Sequence, residues 1–144
     1  MYQDESGSYT MTTPIDPKSQ MPMVDIVEDA GLFVAASLLQ LPETLNKRVL
    51  GYGEIITPEQ IVEDFKAATG KDAKLVHISY DTFKSFLPPP VADELTENMR
   101  LIESPGYYVG EPASAVQESI DLVAKAGLHK PTTWKEYVAK HFEG

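Results

Sequence analysis

Met21-Pro22-Met23-Val24-Asp25-Ile26, running on into Val27-Glu28-Asp29-Ala30-Gly31-Leu32-Phe33-Val34, is the stretch on which the fold turns. Its first six residues form a short apolar run that suits a buried strand. Asp29 then reads as the N-cap of a helix through Gln40, because Leu32, Phe33, Ala36 and Leu39 recur at helical spacing. Pro42 ends that helix by blocking its continuation. A strand feeding directly into an apolar-striped helix is the grammar of an α/β chain.

Working outward, residues 47–53 (Lys-Arg-Val-Leu-Gly-Tyr-Gly) read as a second strand with glycine exits. Thr57-Pro58-Glu59-Gln60 is the clearest local signal in the chain. Thr57 can accept from the amide of residue 60, Gln60 can reach back, and Pro58 fits the first helical position. The helix carries Ile61, Phe65 and Ala68 on one face and stops at Gly70, a good left-handed terminator. Residues 73–78 alternate well enough for a strand, and Ser79 or Asp81 caps a short helix bearing Phe83 and Phe86. After Pro88-Pro89-Pro90, residues 91–103 form an amphipathic helix striped by Leu95, Met99 and Ile102. Residues 106–110 read as a loop, and residues 114–126 as a helix closed by Gly127. Thr133-Trp134-Lys135-Glu136 repeats the capping-box pattern and opens a last helix to Phe142. Towards the N-terminus, residues 8–13 fit either a short strand or a frayed end, and residues 14–22, rich in proline, an extended connection. There is no internal repeat and no low-complexity segment. The expected architecture is helix-rich α/β with three or four short strands: an extended segment over residues 1–20 and one domain over 21–144.

Composition narrows the function classes. The 144 residues carry 12 Lys+Arg against 22 Asp+Glu, a net charge of −10. A surface that acidic repels phosphates and anionic lipid, which argues against direct nucleic-acid or membrane binding. Apolar residues make up 42% and charged residues 24%, a globular balance that excludes a wholly disordered chain. With no cysteine, disulfides, thiolate zinc sites and thiol nucleophiles are excluded. The first residues lack the basic-then-apolar pattern of a signal peptide, and no apolar run approaches a membrane span of about 18 residues. The expected location is intracellular, cytoplasmic or nuclear.

The order of motifs carries a family resemblance. Met21–Ile26 with Gly31-Leu32-Phe33-Val34, then Lys47-Arg48-Val49-Leu50, Thr57-Pro58-Glu59-Gln60-Ile61-Val62, Thr69-Gly70-Lys71, Gly106-Tyr107-Tyr108 and Thr132-Thr133-Trp134-Lys135-Glu136-Tyr137 stand in one collinear series. Gly7-Ser8-Tyr9-Thr10 adds a further match. The series resembles the C-terminal half of NmrA-like proteins, atypical relatives of the short-chain dehydrogenases/reductases. The resemblance implies the helix-rich C-terminal lobe of an NAD(P)-binding Rossmann-type protein. It also implies NAD(P) as the cofactor of a full-length relative, and a role among NAD(P)-sensing regulators that bind partner proteins. The family's glycine-rich dinucleotide loop, however, has no counterpart in these residues. Gly51-Tyr52-Gly53 is the nearest pattern and lacks a third glycine, so no cofactor is expected on this chain itself.

Candidate chemistry is sparse. Tyr80-Asp81-Thr82-Phe83-Lys84 fits Tyr-x-x-x-Lys, the acid/base pair of classical short-chain dehydrogenases, in which a lysine lowers the phenol's pKa. It stands beyond the last expected strand, where the resemblance places no such pair, so no catalytic residue is assigned. His77, His129 and His141 are scattered without metal-ligand spacing. Acidic pairs such as Glu28-Asp29 and Glu63-Asp64 suit solvated faces, and no nucleophile-elbow sequence occurs. Phe83, Phe86, Tyr107 and Tyr108 are the candidate lining of an apolar substrate or partner pocket, with ordinary core packing the competing reading. Two functions follow. One is a non-catalytic regulatory or ligand- and partner-binding module. The other is a fragment of an NAD(P)-dependent oxidoreductase acting on a small carbonyl or quinone. A retained paralogue without a ligand is a third, blander possibility. In either of the first two, the strand at 47–53 and the helix of Leu32 and Phe33 are expected to leave an orphan edge and an apolar face, with Val49 among its residues. That face is open to a protein partner or a second copy unless residues 7–14 fold back over it.

Overall fold

The computed structural model describes residues 1–142, which form two compact units. The first unit comprises residues 1–21, 56–109 and the end of the chain from Val138. Within it, β1 (Tyr2–Gln3) pairs antiparallel with β2 (Tyr9–Thr13). β2 in turn runs parallel to β5 (Ala73–His77), with Tyr9 opposite Ala73 and Thr13 opposite His77. Residues 9–13 therefore lie in the sheet of the first unit, where β-branched Thr10, Thr12 and Thr13 suit the pleat. His77 extends the join, its Nε2 lying 3.1 Å from the Pro14 carbonyl.

Helix α2 (Pro58–Thr69) packs on β5, and its start follows the sequence reading closely. Thr57 Oγ1 accepts from the Gln60 amide at 3.2 Å, Pro58 occupies the first turn, and Gly70 closes the helix at φ 67°. The Gln60 side chain does not reach back; it donates to Asp64 Oδ1 at 3.3 Å. Thr57→Ala is expected to lower stability by about 1 kcal/mol, read as a fall in the urea midpoint, since the amide of residue 60 loses its acceptor. Ile61, Val62 and Phe65 point inward from α2, and Phe65 is fully buried between Tyr9 (4.8 Å) and Phe142 (5.4 Å). Ile15, Ile56, Ala73, Ala92 and Val138 are further apolar side chains buried in this unit. Helix α3 (Tyr80–Ser85) is capped by Ser79, whose oxygen accepts from the Thr82 amide at 3.1 Å. Helix α4 (Pro89–Leu101) starts on the second proline of the triplet and passes into a wide turn over Ile102–Gly106, broken by extended Ser104. Its expected end at 103 therefore falls two residues earlier.

The second unit holds residues 22–55 and 110–137. Strand β3 (Met21–Met23) pairs with β4 (Glu54–Ile56), and Gly53 N–H donates to the Met23 carbonyl at 2.6 Å. The expected strand at 47–53 is corrected here. That segment carries no ladder; the Leu50 amide donates instead to Ser119 Oγ at 2.8 Å, and the strand proper begins at Glu54. Alternating burial of Leu50 and Tyr52 produces the strand-like pattern without a partner strand.

Helix α1 (Ile26–Leu39) also starts earlier than its pattern suggests. Asp25, not Asp29, is the N-cap: its Oδ1 accepts from the Val27 and Glu28 amides at 3.0 and 3.2 Å. Ile26 and Val27, β-branched and strand-like by composition, are its first turn. Leu32, Phe33 and Ala36 pack with Val123 of helix α5 (Ala113–Lys125), and Val49 leans on the same cluster. The expected orphan face is corrected accordingly. Leu32 and Phe33 are buried with Val49 packed against them, and the large apolar residues that α1 itself leaves exposed are Ile26, Val27, Val34, Leu38 and Leu39. Leu39 is thus not on the buried stripe. A helix apolar on both sides is the composition of one packed on both sides. Helix α6 (Trp134–His141) begins in this unit.

Candidate functional site

The N-terminus of α6 is built from three carboxylates. The Thr132 amide donates to Asp29 Oδ2 at 2.6 Å, the Thr133 amide to Glu136 Oε2 at 2.9 Å, and the Trp134 amide to Glu54 Oε2 at 2.9 Å. Thr133 Oγ1 returns the favour by accepting from the Glu136 amide at 3.3 Å, which closes the capping box expected from sequence. Glu136 carries the consequence. Hydrogen bonds from Lys130 and then from the amide and hydroxyl of Thr133 hold its carboxyl down to about 2. Asp29 is fully buried, reached also by Thr132 Oγ1 at 3.3 Å.

Gly53 lets the three segments approach. A Cβ there would sit 2.6 Å from the Thr132 carbonyl oxygen and 3.3 Å from that of Met23, so no larger residue fits without a backbone shift. Of the pattern Gly51-Tyr52-Gly53, Gly53 is thus a close-packing position, whereas a Cβ at Gly51 would make only an ordinary contact with Phe33 at 3.5 Å.

Between the start of α1 and the start of α6 lies a cavity of about 340 Å³, within the size range of small-molecule sites. Met23, Val24, Asp25, Ile26 and Val27 line one side. Thr132, Thr133, Trp134 and Tyr137 line the other, where the Trp134 and Tyr137 rings stack at 5.8 Å and 17°. Among the described residues the lining is apolar and aromatic apart from Thr132, Thr133 and one carboxylate, Asp25, and includes no basic side chain. Sequence reasoning missed this site. Thr133 and Glu136 were legible as a cap, but Asp29 and Glu54 lie 103 and 80 residues from the amides they accept from.

The residues singled out from sequence fall elsewhere, in the first unit. Phe83 is half-buried on α3, Phe86 is 68% exposed just beyond it, and Tyr107 is 54% exposed. Tyr107 meets half-buried Tyr108 edge-on at 5.1 Å. The structure brings the two tyrosines together.

Tyr80 and Lys84 share α3 but face different partners. The Tyr80 hydroxyl donates to Glu103 Oε2 at 2.5 Å, with the Arg100 guanidinium 4.3 Å above its ring. Burial, then the hydrogen bond and charge of Glu103, push the phenol up to about 12. Lys84 is ion-paired with Asp93, which raises its own pKa. A Tyr-x-x-x-Lys acid/base couple needs the opposite: a phenol pulled down by its lysine. Among the described residues no group of three or more His, Asp or Glu side chains is placed to hold a metal, and no helix is long and apolar enough to cross a membrane.

Comparisons with known proteins bear on the family and the fold. The profile of the NmrA-like family matches residues 1–138. The NmrA-like family domain-containing oxidoreductase malD of Malbranchea aurantiaca is 25% identical over 155 residues, covering 99% of this chain and 45% of that protein. Among solved structures, NmrA, described as a negative transcriptional regulator, superposes in its NADP complex with a TM-score of 0.72 at 17% identity. That match covers 99% of this chain and 45% of NmrA. Its monoclinic form gives 0.73 at 18% identity with the same coverage. At that identity the likeness shows the fold, an α/β arrangement of the Rossmann-like NmrA type. The chain spans a little under half the length of these relatives, and with a family profile matched over 138 of its residues it belongs to the NmrA-like family.

Proposed function

We propose that this chain is a non-catalytic binding half of an NmrA-like protein, a regulatory module that takes a ligand or a protein partner. The carrying observation is the Tyr80–Glu103 hydrogen bond at 2.5 Å, with Lys84 held by Asp93. The one acid/base pair legible in the sequence is wired to carboxylates, which keeps the phenol protonated and the lysine on a different partner. On this reading NAD(P) is held by residues outside these 144, in keeping with the missing glycine loop. Protein contact is made through the outer face of α1, where Ile26, Val27, Val34 and Leu38 stand exposed. On this reading the module works inside the cell, in cytoplasm or nucleus, and the fold it shares with a transcriptional regulator supports that.

A second reading has its own support, because the curated relative is named an oxidoreductase. There the chain would be the substrate half of an NAD(P)-dependent enzyme acting on a small carbonyl or quinone. The two part on a kinetic test. Tyr80→Phe and Lys84→Ala are expected to leave any NADPH-dependent reduction of a carbonyl and quinone panel unchanged, with folding checked by circular dichroism. A large fall in turnover in either folded variant would make the pair catalytic and overturn the proposal.

A further inference from the structure

We infer that the cavity between the starts of α1 and α6 is a site for a flat, uncharged or cationic aromatic molecule, and that it rejects anions. This inference deepens the reading of the chain as a binding half. Helix N-termini ordinarily attract anions through unsatisfied amides and the positive end of the dipole. Here that attraction is already consumed. The amides of Thr132, Thr133 and Trp134 donate to Asp29, Glu136 and Glu54, and those of Val27 and Glu28 donate to Asp25. Asp25 lines the cavity, and Asp29, Glu136 and Glu54 stand one hydrogen bond behind its Thr132, Thr133 and Trp134 wall, with Lys130 paired to Glu136 at 2.7 Å. An entering phosphate or carboxylate would meet their repulsion with none of these donors left to offset it.

The remaining lining selects for shape. Trp134 and Tyr137, stacked on one another with their planes 17° apart, supply the aromatic part of the lining, and Met23, Val24, Ile26 and Val27 the aliphatic part. An aromatic ring laid against them buries apolar surface on both sides and gains offset stacking. Asp25 at the rim lines the cavity with a carboxylate, which favours a hydrogen-bond donor or a positive charge on the ligand.

Trp134 is the chain's single tryptophan, so its emission reports this site. Two probes share one ring system: N-phenyl-1-naphthylamine, which is neutral, and 1-anilinonaphthalene-8-sulfonate, which adds a fixed negative charge. The neutral probe is expected to quench Trp134 saturably and to bind at least about tenfold more tightly than the sulfonate. Asp25→Asn keeps a good N-cap while removing the charge, and is expected to narrow that gap. Val24→Phe, which fills the cavity, is expected to weaken the neutral probe, whereas Leu45→Ser, at an exposed apolar residue beyond α1 and outside the lining, is expected to leave it unchanged. Sulfonate binding as tight as the neutral probe, purely linear quenching by the neutral probe, or loss of binding in Leu45→Ser but not Val24→Phe would each overturn the inference. These outcomes read ligand charge and place, whereas the non-catalytic reading stands or falls on the Tyr80 and Lys84 variants.

Discussion

Phe65→Ala is expected to destabilise the first unit by about 3–5 kcal/mol, the largest effect of any single truncation proposed for this chain. Phe65 is fully buried, and its ring is gripped by Tyr9 from the sheet and Phe142 from the chain's end. Its removal deletes two aromatic contacts together with the transfer energy of the ring. It also leaves a void that α2 cannot close while Thr57 and Gly70 fix both of its ends. Equilibrium urea unfolding measures the loss. A change below about 1 kcal/mol would mean that the surroundings collapse onto the gap and that Phe65 is not the keystone of this core.

Asp29→Ala is expected to cost the second unit about 2–4 kcal/mol. The side chain is fully buried and accepts from both the amide and the hydroxyl of Thr132, 103 residues away. Truncation strands a half-buried N–H and unties the start of α6 from α1. Asp29→Asn keeps a carbonyl oxygen and is expected to cost less. The specific readout is hydrogen exchange at the Thr132 amide, which should accelerate in Asp29→Ala by more than the global loss of stability explains. Unchanged protection there would show that the amide has another acceptor.

What the sequence disclosed and what it hid divide by distance along the chain. The caps at Thr57 and Thr133 were legible because donor and acceptor lie three residues apart, so composition alone specifies the geometry. The start of α1 was not. Asp25 and Asp29 both suit an N-cap, and Ile26 and Val27 between them are β-branched, so local propensity favoured a longer strand. The tie-breaker is tertiary: Asp29 is needed by Thr132, which leaves Asp25 to cap. The segment 47–53 misled for a related reason. Val49, Leu50 and Tyr52 have strand character, but the acceptor of the Leu50 amide is a serine hydroxyl 69 residues on, not a neighbouring strand. The candidate site was hidden for the same cause, since its two walls come from residues 23–27 and 132–137. The aromatic set Phe83, Phe86, Tyr107 and Tyr108 was visible as composition, yet two of its four members are largely exposed.

On the proposed reading Tyr80 is a structural phenol and not an acid/base group, and its own titration tests this directly. In protein labelled with ¹³Cζ-tyrosine, with the Tyr80 resonance assigned by Tyr80→Phe, the phenol is predicted to titrate near 12. At pH 10, where an unperturbed tyrosine is half ionised, Tyr80 should be only about one per cent ionised. Because the folded value lies above the unfolded one, its contribution to stability is complete below pH 10 and is lost as pH rises through 12. Glu103→Gln should move the midpoint back towards 10, since the carboxylate's charge and hydrogen bond are among the causes of the rise. A Tyr80 midpoint below 10 would mean that Lys84, not Glu103, governs the phenol, and the chain would have to be read as carrying a working acid/base pair.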